Sequence, residues 1–104
     1  MTPHHDLSGM DRLSAHVVLT YTHRNQVAAV NHRHLADYDT GTWEWMGTLN
    51  DTMIHNLVHS GHVTTDTTVT LTPDGDTEAL TATRLTLTPQ GRALLDDINA
   101  NPFQ

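Results

Sequence analysis

A chain of 104 residues suits one small domain with its own core, and the absence of cysteine excludes a disulfide framework, a thiolate nucleophile and Cys-ligated zinc. Twelve acidic residues face five arginines and no lysine, a formal charge of -7 that offers no ready footprint for phosphate backbones. Nine histidines titrate near neutrality, which makes that charge unusually sensitive to mild acid.

No apolar run approaches the about 18 residues of a membrane span, and the first residues lack the basic and apolar regions of a signal peptide, so a cytoplasmic protein without a membrane partner is expected. Residues 1–7 read as a polar leader, 8–99 as a single domain and 100–104 as a tail. Met10, Leu13, Val17, Val18 and Tyr21 fall at helical spacing, with Ser8 or Asp11 near the start. The β-branched Val17, Val18, Thr20 and Thr22 pull toward strand, but the spacing favours a helix. From 25 to 38 the positions Val27, Val30, His34 or Leu35, and Tyr38 again sit nearer to helix than to alternation, with a short hairpin as the rival. Residues 37–42 form a turn by composition. They lead into Trp43-Glu44-Trp45-Met46-Gly47, a short strand or helical turn in which one Trp is expected inside and the other partly covering it.

Thr48 followed by Asp51 approaches the capping-box pattern, and Leu49, Met53, Ile54, Leu57 and Val58 then recur at helical spacing up to Ser60-Gly61, where a left-handed cap can form. Beyond Gly61 the period changes to two. Val63, Thr65, Thr67, Val69 and Leu71 would share one face of a strand, Pro73-Asp74-Gly75-Asp76 would turn it, and Ala79, Leu85 and Leu87 would continue the apolar face on the return. Thr88 before Pro89 reads as an N-cap before a first-turn proline, opening a helix with Ala93, Leu94, Leu95 and Ile98 on its apolar stripe and Pro102 beyond its end. Leu71-Thr72-Pro73-Asp74-Gly75 echoes Leu87-Thr88-Pro89-Gln90-Gly91, so a hairpin closing at Leu71 is a shorter alternative; only the second copy precedes a helical face.

Leu57-Val58-His59-Ser60-Gly61-His62-Val63, a hairpin, and Leu87-Thr88-Pro89-Gln90-Gly91-Arg92 together resemble the end of a winged helix-turn-helix domain of the MarR-like and small bacterial or phage kind, over the C-terminal half of the chain. The resemblance implies an α+β winged-helix fold with a helical N-terminal half, a recognition-type helix, a long hairpin wing and a short closing helix. It also implies a transcriptional or phage-type regulator that binds double-stranded DNA. On a helical wheel Asp51, Thr52, His55, Asn56 and His59 fall toward solvent, with Asn50 at the margin. Asn50, Thr52, His55, Asn56 and His59, with Arg84 from the wing, are the expected nucleic-acid contacts. Asp74, Asp76 and Glu78 at the wing tip repel phosphate, so the imidazoles would have to stand in for lysines, and Arg12, Arg24 and Arg33 would have to converge beside them.

Two alternatives stand beside this reading. One is an acidic winged-helix module that docks on a protein without binding DNA, with homodimerisation through the hairpin edge. The other is a histidine-based metal site built from His55, His59 and His62, with His32 and His34 in reserve. No phosphate loop, nucleophile elbow or metalloprotease pattern occurs, so neither an enzyme nor a cofactor is expected.

Overall fold

The computed structural model describes residues 9–100, with side chains from 12 onward. The expected leader, the tail after residue 100 and Pro102 lie outside the described residues. The elements are α1 (Gly9–His23), β1 (Val27–Val30), β2 (Arg33–Ala36), β3 (Glu44–Trp45), α2 (Thr48–His59), β4 (Val63–Leu71), β5 (Leu80–Leu87) and α3 (Pro89–Ala100). The strands form one antiparallel sheet in the order β3-β2-β1-β5-β4. The α+β class is as expected from the sequence.

The first helix forms, but its buried stripe is displaced from the expected one. Ser14, Ala15, Val18, Leu19 and Thr22 face inward, while Leu13 is 64% exposed. The small Ser14 and Ala15 let α1 lie against both α2 and α3, with hydrogen bonds from Ser14 Oγ to Asn50 Oδ1 (3.0 Å) and between His16 Nε2 and Asn99 Oδ1 (3.0 Å). The Thr22 hydroxyl donates to the Val18 carbonyl one turn back, which satisfies a buried polar group inside the helix.

Residues 25–38 are a hairpin, not the helix that spacing favoured, so the N-terminal half is not wholly helical. Asn25, at φ 62°, ends α1, and Asn31, at φ 57°, begins the two-residue turn that pairs Val30 with Arg33. Two short strands joined by such a turn bring Val27 and His34 to one face and Val30 and Leu35 to the other, so the apparent helical spacing arises by coincidence. β1 lies between β2 and β5 and holds the sheet together. The Trp43-Glu44-Trp45-Met46-Gly47 segment contains the two-residue β3, and its fully buried side chain is Met46 (1% exposed), not a tryptophan. Trp43 is half-buried and Trp45 is 37% exposed beneath the Arg33 guanidinium, 4.9 Å from its ring.

The hairpin of β4 and β5 forms with the long register that runs to Leu87. Its faces differ from strict alternation. Thr65 pairs with Leu85 and Thr68 with Thr83, so Asp66 and Thr67 together oppose Arg84 in a bulge. Val63 therefore faces the helices with Leu85, whereas Val69 and Leu71 face the other side with Ala82. Two cores result. The larger joins the three helices to the helix face of the sheet through Val18, Leu19, Val27, Ile54, Leu85 and Ile98, among others. The smaller, made of Ala28, Leu35, Leu71 and Ala82 with Val30, Trp43 and Val69 against it, fills the opposite face. Trp43 bridges to Pro73, and the Asp74 amide donates to the Trp43 carbonyl (2.6 Å). The chain before β3 thus meets the chain after β4, and the sheet curls around the smaller core.

Candidate nucleic-acid interface

The helix on which the expected contacts lie is fixed at both ends by backbone and long-range bonds. Its N-cap is Gly47, one residue before the expected Thr48, and no side chain caps it. Met53, Ile54 and Leu57 are buried, each worth about 1.5–3 kcal/mol of apolar transfer. Leu49 (52% exposed) and Val58 (38%) flank the outer surface and do not join the core as their spacing suggested. At the C-terminus the His62 amide donates to the Leu57 carbonyl (2.8 Å) and the Gly61 amide to the Val58 carbonyl (3.2 Å), a Schellman motif with Gly61 at φ 84°.

The Leu-Thr-Pro-x-Gly-Arg run locks onto that motif. The Thr88 amide donates to the His62 carbonyl (3.1 Å), the Thr88 hydroxyl donates to the Gly61 carbonyl (2.6 Å), and the same hydroxyl oxygen accepts from the Gly91 amide (3.1 Å) as the N-cap of α3. The orientation of α3 is thereby tied to the end of α2.

Thr52, His55, Asn56 and His59 are exposed along the outer face of α2, and the His55 and His59 rings stack at 6.5 Å with 15° between their planes. The other two expected contacts are elsewhere. Asn50 is half-buried and bonded to Ser14 and to the Tyr38 hydroxyl, whose ionisation is pushed upward mainly by burial. Arg84 pairs across the sheet with Ala28 on the face opposite the helices, its Nε buried without a hydrogen-bond partner. Asp51 does not face solvent either. Its Oδ1 accepts from the His34 amide (2.9 Å) and lies 3.2 Å from His34 Nδ1, while its Oδ2 accepts from Arg33 Nε (3.1 Å).

The arginines do not gather beside the outer face of α2. Arg24 pairs with Asp39 (3.0 Å) and lies over the Tyr21 ring, Arg33 is held by Asp51 and the Met46 carbonyl, and Arg92 pairs with Asp96 (3.6 Å). Arg12 lines an open cleft with His62, Gln90, Ala93, Leu94 and Asp97, between α1, α3 and the turn after α2. Asp39 is held below the usual carboxylate range, first by its Gln26 hydrogen bond and then by Arg24. Asp74, Asp76 and Glu78 are exposed at the hairpin end. Among the described residues no three His, Asp or Glu side chains converge as metal ligands, and His62 Nδ1 lies 2.6 Å from Ser60 Oγ.

The contact among Arg33, His34 and Asp51 had no signal in the sequence, because it depends on β2 being a strand that α2 covers. No helix of the described residues is long and apolar enough to cross a membrane. No known family pattern matches the chain, and neither a curated protein nor a solved structure matches it.

Proposed function

We propose that this chain is a winged-helix-type regulator that contacts duplex DNA through the outer face of α2, with the β4–β5 hairpin beside it as the wing. The observation that carries the reading is the row of exposed Thr52, His55, Asn56 and His59 on a helix whose core side is fully committed. Thr and Asn hydrogen-bond to base edges or phosphates, and protonated imidazoles add the positive charge that phosphate contact needs. Near neutrality this row carries no fixed cation, so binding is weak and strengthens as pH falls. At fixed salt, affinity for duplex DNA is expected to be several-fold higher at pH 6 than at pH 8. His55→Ala with His59→Ala removes that gain. Equal binding at the two pH values in the unaltered protein overturns the proposal.

A second reading, an acidic module that docks on a protein, is favoured by one arrangement: arginines paired away from the outer face of α2 together with an acidic hairpin end. Titrating salt against random-sequence duplex separates the two. DNA contact gives a log–log slope that steepens with each phosphate engaged, whereas a protein-docking module shows no binding at low salt.

A further inference from the structure

We propose that Asp51, His34 and Arg33 form an acid-sensitive latch that seats the first turn of α2 on β2, holding at neutral pH and loosening when the His34 ring takes a second proton. Both carboxylate oxygens of Asp51 are used by β2: Oδ1 by the His34 amide and ring, Oδ2 by the Arg33 guanidinium. Arg33 extends the latch by donating from Nη2 to the Met46 carbonyl (3.0 Å) at the approach to α2 and by covering the Trp45 ring. The carboxylate is thus spent sideways, and α2 begins at Thr48 behind Gly47, an N-cap position with no side-chain cap. The seat of this helix therefore rests on its link to the strand as well as on its apolar face.

His34 is 5% exposed and lies on the helix face of the sheet, opposite Ala29 of β1. The charged or titratable groups that act on its ring are Asp51 and His55 from α2 and Arg33 from β2. In neutral solution one carboxylate faces one guanidinium, and the ring can donate from Nδ1 to Asp51 while uncharged. A second proton on His34 sets another cation beside the one carboxylate that Arg33 already uses, and this cation is buried, where water reaches it poorly. Burial is the largest influence on this ring and lowers its proton affinity, with Asp51 opposing and His55 and Arg33 adding to the lowering. The folded chain consequently binds fewer protons at this site than the unfolded chain does. Stability is full above the ordinary histidine range and falls as pH drops through it, levelling off once the folded ring is also charged.

The latch stands whether or not α2 reads DNA; if it does, DNA affinity should rise and then fall with acidification, the fall belonging to His34. The test needs no DNA. Ring resonances of the full chain are followed by NMR from pH 8 to 5, and melting temperatures are measured at pH 7.5 and 5.5 for the unaltered protein and for His34→Gln, whose side chain cannot take a proton while its backbone amide still donates to Asp51. Expected are a His34 ring that stays neutral below the ordinary histidine range, and a melting temperature that falls by several degrees more in the unaltered protein than in H34Q. Should H34Q not fold, the ring titration decides alone. A His34 that charges within the ordinary histidine range, or equal falls in the two proteins, overturns the latch.

Discussion

Gly91 is packed directly on the turn after α2: a β-carbon built there would lie 1.9 Å from the His62 carbonyl oxygen and 2.9 Å from its carbon. Both are backbone atoms of the turn that ends α2, so neither can rotate aside. Gly91→Ala would gain about 1 kcal/mol of helix propensity at most, while the overpacking costs about 3 kcal/mol or more and pulls Thr88 from Gly61. A net loss of about 2–3 kcal/mol is expected in urea unfolding. A neutral result would mean that α3 is not seated on that turn. The glycine of the Leu-Thr-Pro-x-Gly-Arg run is a contact residue and Thr88 its tether, so this part of the motif was legible as a helix start but not as a joint. Asp51 misled for a related reason. Three residues after Thr48 it looks like a cap, and only the distant Arg33 and His34 reveal its use.

At the scale of elements, the bulge in β4 decides which residues meet which core. Strict alternation puts Val63, Val69 and Leu71 together, but the extra residue moves the latter two to the inner face, where they pack with Ala82 and Leu35. The two accounts separate on deletion. Removing Thr67 alone leaves Asp66 against Arg84 and every other pair in its observed register, so the variant should fold with a loss of about 1–2 kcal/mol for the straightened strand. Removing Asp66 and Thr67 together shifts Val69 and Leu71 onto the wrong face, and no cooperative thermal transition is expected. The reverse order of stability would show that the strand is regular.

The α2 helix, the hairpin and α3 were legible because their periods and end signals lie within a few residues of each other. The β1–β2 hairpin was not, since a two-residue turn after four-residue strands mimics helical spacing. The outer face of α2 could be read from a helical wheel at Thr52, His55, Asn56 and His59. Asn50, at the margin of that wheel, was claimed by Ser14 of α1, which no local pattern reveals.

Over the whole molecule the balance of charge sets a stability response opposite to that of a salt-bridged surface. The pairs Arg24–Asp39, Arg33–Asp51 and Arg92–Asp96 each keep an arginine side chain at least half exposed, where solvent screens the attraction and each pair contributes little. The seven excess negative charges repel one another in the folded domain, and the repulsion weakens in the expanded unfolded chain, where the charges lie further apart. Raising salt screens both, but at about 0.15 M, where the Debye length is about 8 Å, the many long repulsions lose more than the few short contacts do. At pH 8 the melting temperature is therefore expected to rise by a few degrees between low salt and about 0.3 M sodium chloride. At pH 6 the exposed imidazoles cancel part of the excess, and the rise should shrink. Calorimetry at the two pH values reads both effects, and a melting temperature that falls with salt at pH 8 would mean that the three arginine pairs outweigh the general repulsion. The same counter-charging that eases repulsion in mild acid also strains the seat of α2 at His34. Stability against pH at low salt should thus pass through a maximum, and in H34Q that maximum should lie further toward acid.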